Sequence, residues 1–301
     1  MFIIFNEAVA KAMRDNPYIP SKSKELTFTA TENNSSAALK KVGTVNNTYE
    51  YKLNNGAWTS YTLTTSGVVI PLSAGDKIQW RCTNRPTTFN SAVYVQFVMT
   101  GKIEASNPVT SMVLYTLDPS NLYGYDFACR ALFKGCTALI KAPELPATTL
   151  AERCYQSMFS GCTSLTQAPV LPATTLADGC YGGMFQGCTS LTQAPVLPAT
   201  TLANYCYFYM FSGCTSLVQA PALPATTLAS SCYMNMFSGC SNLSEMRTYA
   251  TNPNADSASG SVYQWLQGVS TTGDFWCDPN VTWATGVSGI PSGWTRHDIA
   301  D

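Results

Sequence analysis

Leucine recurs every 26 residues, at Leu139, Leu165, Leu191, Leu217 and Leu243, and the text between these positions repeats almost unchanged. Leu165-Thr166-Gln167-Ala168-Pro169-Val170-Leu171-Pro172-Ala173-Thr174-Thr175-Leu176-Ala177 returns in full from Leu191. A unit this short cannot bury an apolar face alone, so copies must stack and close one another's core. A diverged copy, Val113 to Ala138, opens the array. Within one unit, Ala177, Cys180, Tyr181, Met184, Phe185 and Cys188 lie at offsets of 3, 4, 7, 8 and 11 from the first. That spacing predicts one apolar face of a helix of about three turns. Thr175 is placed to cap its start, and Gly187 sits where it would end. The following Gln193-Ala194-Pro195-Val196-Leu197-Pro198 carries two prolines, which predicts a short extended bridge in place of a regular strand.

The repeat also decides how the cysteines are read. Eight of the twelve occupy two repeat positions, Cys154, Cys180, Cys206 and Cys232, then Cys162, Cys188, Cys214 and Cys240. A position that returns once per unit stacks on itself, so these predict reduced, buried ladders in which cysteine acts as a small hydrophobe. No CxxC pair is present and the chain has one histidine, so no metal and no other cofactor is expected.

Charged residues are 12% of the chain, about half the usual share, and the net charge is −1. No basic face is implied, which argues against nucleic acid as a partner. No run approaches 18 apolar residues, so membrane insertion is not expected. Between Cys154 and Leu243 the only charged residue is Asp178, so paired carboxylates cannot be assembled there. His297 has only Asp298 and Asp301 as acidic neighbours in sequence and reads as an exposed tail residue. With no GxGxxG, Walker loop or HExxH, no catalytic residue is assigned and no enzyme is predicted.

Before the array the pattern changes. Phe2, Phe5, Val9 and Met13 mark a short amphipathic helix, a candidate arm for self-association or docking, followed by a linker to Lys24. From Glu25 the period becomes two, with a hairpin signal at Asn54-Asn55-Gly56, predicting about seven strands in an antiparallel β-sandwich. After Ser244 the repeat breaks, and Phe275, Trp276, Trp283 and Trp294 predict an aromatic cap over the last coil. The expected division is 1–24 arm, 25–108 sandwich, 109–243 repeats and 244–301 cap.

The repeats also point to a contact surface. Copies agree at the apolar positions and differ at the pairs beside them: Gln156-Ser157, Gly182-Gly183, Phe208-Tyr209 and Met234-Asn235. Helical spacing puts these on the face away from the core. Tyr205, Phe208, Tyr209, Met234 and Asn235 make an apolar group on an otherwise small, polar face, and are the candidate partner-binding residues. Replacing Phe208 and Tyr209 by alanine is expected to leave stability nearly unchanged and to weaken a contact.

Met158-Phe159-Ser160-Gly161-Cys162-Thr163-Ser164-Leu165 and its copies resemble the BspA-like leucine-rich repeats of surface proteins from Bacteroides-type bacteria, and Ser288-Gly289-Ile290-Pro291-Ser292-Gly293-Trp294-Thr295 resembles the closing segment of such arrays. The resemblance implies a multidomain α+β protein, with the N-terminal sandwich followed by a leucine-rich-repeat solenoid. It also implies surface exposure and adhesion without catalysis. Such proteins carry a secretion or lipoprotein signal, whereas Met1-Phe2-Ile3-Ile4-Phe5-Asn6-Glu7 does not read as one. Assembly into a phage particle is a route outside that needs none. The expectation is therefore a virion surface component, a head or tail fibre, with the arm holding copies together (a trimer would suit a fibre) and other virion proteins. The repeats would meet a host surface protein or glycan. A bacterial cell-surface adhesin and a carbohydrate-binding module are the alternatives.

Overall fold

The computed structural model describes residues 25–84, 89–112, 120–254 and 260–299. The candidate arm residues Phe2, Phe5, Val9 and Met13 lie outside them. The first strands are β1 (Leu26–Ala30), β2 (Ser35–Val42), β3 (Tyr49–Leu53), β4 (Thr59–Tyr61), β5 (Ile70–Leu72), β6 (Lys77–Cys82), β7 (Tyr94–Thr100) and β8 (Ile103–Ser106). Alternating apolar residues set their inner faces: Leu26 and Phe28 on β1, Ile78 and Trp80 on β6, Val95 and Phe97 on β7 are all buried. β3 and β4 form the hairpin around Asn54, whose φ of 51° the turn requires.

An antiparallel sandwich set apart from the repeats is not what forms. The larger sheet runs β4-β3-β6-β1-β8-β9, and its last strand, β9 (Leu139–Lys141), comes from the repeats and pairs parallel to β8. The smaller sheet is β5-β2-β7. Phe97 of β7 stacks on Phe133 with ring centroids 5.4 Å apart, so the apolar core passes without a break from these sheets into the coils.

The expected α+β class is also overturned. Among the described residues there is no α-helix, and the one helical element is a 3-10 turn at Val109–Met112. The segment read as a helix in each repeat is a run of turns. From Tyr155 to Cys162, the N–H groups of Tyr155, Ser157, Phe159 and Gly161 donate to the carbonyls of Cys180, Gly182, Met184 and Gln186 in the next coil. Those of Gln156, Met158, Ser160 and Cys162 donate to the carbonyl three residues back. Every fourth residue is left-handed: Arg153, Ser157 and Gly161 have φ of 50°, 55° and 75°. The true period is therefore four, and the pairs Cys154-Tyr155 and Met158-Phe159 point inward, followed by Cys162 alone. Against the 3.6 residues per turn of an α-helix, a period of four drifts by only about one residue over three turns, so the apolar offsets fit both. An α-helix would use its N–H groups internally; here half of them join one coil to the next. Each non-glycine left-handed residue costs on the order of 1–2 kcal/mol, which this coil-to-coil bonding offsets.

Stacking at one-coil intervals aligns like side chains. Phe133, Phe159, Phe185, Phe211 and Phe237 stack with neighbouring centroids 5.5–5.7 Å apart. Tyr155, Tyr181, Tyr207 and Tyr233 stack at 5.9–6.0 Å. All twelve cysteines are free and buried. In one column each thiol donates to a phenylalanine carbonyl of the preceding coil, Cys162 to Phe133, Cys188 to Phe159, Cys214 to Phe185 and Cys240 to Phe211, at 3.0–3.1 Å. A thiol here does what a methyl group cannot: it fills the space and gives a second hydrogen bond to a carbonyl that already accepts the cysteine N–H three residues on.

The region after Ser244 continues the stack where a separate cap was expected. Tyr233, Asn235 and Phe237 donate to Ser261, Tyr263 and Trp265, and Gly268 lies against Gly239, so Ser261–Gly268 is one more coil at a spacing of 29 residues. In this register Trp265 takes the methionine column, stacked on Tyr233 at 6.3 Å and Trp283 at 5.3 Å. Beside it β10 (Glu245–Arg247), β11 (Gly273–Cys277) and β12 (Trp294–Asp298) form a parallel sheet.

Candidate contact surface

The five candidate partner-binding residues belong to two adjacent coils, and the structure does not treat them alike. Tyr205 is 41% exposed, Phe208, Tyr209 and Met234 are half-buried, and Asn235 is buried at 5%. Tyr205 meets Phe208 edge to face at 5.9 Å, and Phe208 meets Tyr209 edge to face at 5.8 Å, so three rings form one cluster. Asn235 does not join the exposed group.

Asn235 takes the same left-handed position as Tyr209 one coil on, with φ of 52°, so the turn does not separate the two, and the shorter side chain is the covered one. Tyr205 and Tyr209 occupy left-handed positions, each with φ of 54°, where the neighbouring coil has Gly179 and Gly183. Bulky residues are uncommon there, and the strain is held by the coil-to-coil bonds of both N–H groups, Tyr205 to Ser230 and Tyr209 to Met234. Phe208 lies across the neighbouring coil: a Cβ built on Gly182 would fall 2.0 Å from its ring. Gly182 and Phe208 are thus partners, one coil supplying the gap that the other fills. The sequence carried a signal for this in Gly179, Gly183 and Gly187, spaced by four, which a helix reading leaves without a purpose.

Gly182→Ala should therefore push the Phe208 ring aside and cost about 1–3 kcal/mol. Denaturant melts of a double-mutant cycle check it: in the Phe208→Ala background the penalty should vanish, and an unchanged penalty would show that the ring is not the obstacle.

Other candidate chemistry is limited. Among the described residues no group of three His, Cys, Asp or Glu side chains could hold a metal ion. Burial raises the thiols, with Cys136, Cys154, Cys188, Cys232 and Cys240 pushed up to about 12, which disfavours the nucleophilic thiolate. His297 is not the free tail residue its sequence neighbours suggested. The register of β11 with β12 sets its Nε2 2.6 Å from Asp274 Oδ1 and its ring 4.4 Å from that of Trp276, and Arg247 covers Trp276 at 5.0 Å. A shallow cleft of about 580 Å³ on the larger sheet, lined by Thr27, Thr29, Asn54, Lys77, Gln79 and Asn107 among others, offers amides, hydroxyls and one ammonium but no carboxylate or thiol.

In comparisons with known proteins, no family model, no curated protein and no solved structure matches this chain.

Proposed function

We propose that this is a non-enzymatic structural and adhesion protein, a virion surface component such as a head or tail fibre, whose coil stack presents a contact surface to a host protein or glycan. The observation that carries the reading is the ring cluster of Tyr205, Phe208 and Tyr209, with two tyrosines held at positive φ on a face otherwise made of small and polar side chains. Strained, bulky residues kept in an outward position are what a binding surface retains and packing alone does not require. The resemblance to BspA-like surface repeats supports adhesion as the role. A bacterial cell-surface adhesin uses the same surface in other packaging.

Contact and stability can be separated here. Asparagine tolerates the left-handed conformation that tyrosine resists. Tyr205→Asn with Tyr209→Asn should leave the melting temperature unchanged or slightly raised, while adsorption to host cells falls about tenfold or more, the scale of a lost hot spot. Unchanged adsorption would remove the cluster as the contact site. Mass spectrometry of purified particles tests the packaging: the protein's absence from virions would overturn the fibre reading.

A further inference from the structure

We propose that the outer edge of β12 pairs antiparallel with β12 of a second copy, joining two coil stacks end to end about a two-fold axis at His297. Ile299 N–H donates to Cys277 C=O across β11 and β12. Alternate residues of a strand bond to opposite sides, so Thr295, His297 and Ile299 turn their backbone groups towards β11, and Arg296 and Asp298 turn theirs away. Among the described residues no strand pairs with that outer edge. An open row of donors and acceptors is a template for another strand.

The charges select the occupant and the register. With outward-facing groups at Arg296 and Asp298, a self-pairing can place like residues opposite one another, Arg296 on Arg296 or Asp298 on Asp298, or it can be centred on His297. Only the last sets Arg296 opposite Asp298 of the second copy, and by symmetry does so twice. Unlike charges directly opposite stabilise a strand pair, and like charges oppose it. Both side chains are exposed and near each other, with Arg296 Nε 3.7 Å from Asp298 Oδ1, while Arg296 Nη2 donates to the carbonyls of Asp278 and Pro279 in its own chain. Val287, 45% exposed, continues the last coil beside this edge, since Leu266 N–H donates to its carbonyl, and adds apolar area to the same end. One self-complementary patch meeting its copy is the isologous arrangement of a two-fold dimer.

The test uses the full chain and light scattering coupled to size exclusion. The wild type should show twice the mass of either single variant, Arg296→Asp or Asp298→Arg, because each variant sets like charges opposite one another. Mixing the two variants should restore the doubled mass as a mixed pair, since each supplies the charges the other lacks. Neither variant retains the internal Arg296–Asp298 pair, so this rescue reports contact between chains only. Melting curves alongside confirm that both variants fold. A wild type with the same mass as its variants, or a mixture that does not pair, would overturn the proposal.

Discussion

Raised above pH 9, the protein is expected to unfold cooperatively within about one to two pH units. The cause is the thiol columns. Cys136, Cys154, Cys188, Cys232 and Cys240 hold their protons to about 12 because burial penalises the thiolate, against an ordinary value of 9.0. Cys162, Cys180 and Cys214 are raised well above it, again mainly by burial, and Tyr181, Tyr207 and Tyr233 are raised in the same way. Above pH 9 for the thiols and above pH 10 for the tyrosines, the unfolded chain releases protons that the folded chain keeps, so the unfolded state binds fewer, and stability falls as pH rises. At about 1.4 kcal/mol per pH unit for each group, five thiols withdraw roughly 7 kcal/mol for every unit. A typical total stability is about 5–15 kcal/mol. Circular dichroism and thiolate absorbance followed along one alkaline titration check this, and the two signals should move together. Thiolates that appear near pH 9 while the fold persists would show that the columns are not buried.

The same columns show what could be read from the sequence and what could not. Stacking was legible, because Cys180, Tyr181, Met184 and Phe185 recur at a fixed interval and only neighbouring copies can cover them. The local conformation was not, because inward pairs every four residues and a 3.6-residue helix give the same apolar offsets over so short a run. The deciding clue was polar and conformational: Gly179, Gly183 and Gly187 mark left-handed positions that a helix has no use for. That error carried into the contact surface. A helix face would have put Asn235 outside with Tyr205, whereas Asn235 is buried and Phe208 lies on Gly182. The His297–Asp274 contact depends on the pairing of β12 with β11 across a span of 23 residues, and no local pattern encodes it.

Phe185→Ala should be among the most damaging single truncations in the coils, costing about 3–5 kcal/mol. Phe185 is fully buried, with Phe159 on one side at 5.6 Å and Phe211 on the other at 5.7 Å. Removing the ring leaves a void bounded by two more rings, and neither coil can close on it. The backbone spacing is fixed by bonds from Phe159 to Met184, Phe185 to Met210 and Gly187 to Ser212, which do not involve the side chain. Cavities that cannot collapse carry the larger penalties. The Phe185 carbonyl also accepts from both Cys188 N–H and Cys214 Sγ, and those bonds should survive, so the loss reads packing and not a broken polar network. Denaturant unfolding measures it, with Phe185→Leu as the companion that refills much of the space and should cost less. The matching truncation at Phe237 should cost less too, because the next coil places Leu266 and not another phenylalanine in that column. Equal losses at Phe185 and Phe237 would mean that ring-on-ring contact adds nothing beyond burial, and a loss below about 1 kcal/mol at Phe185 would mean that the coils are free to close up.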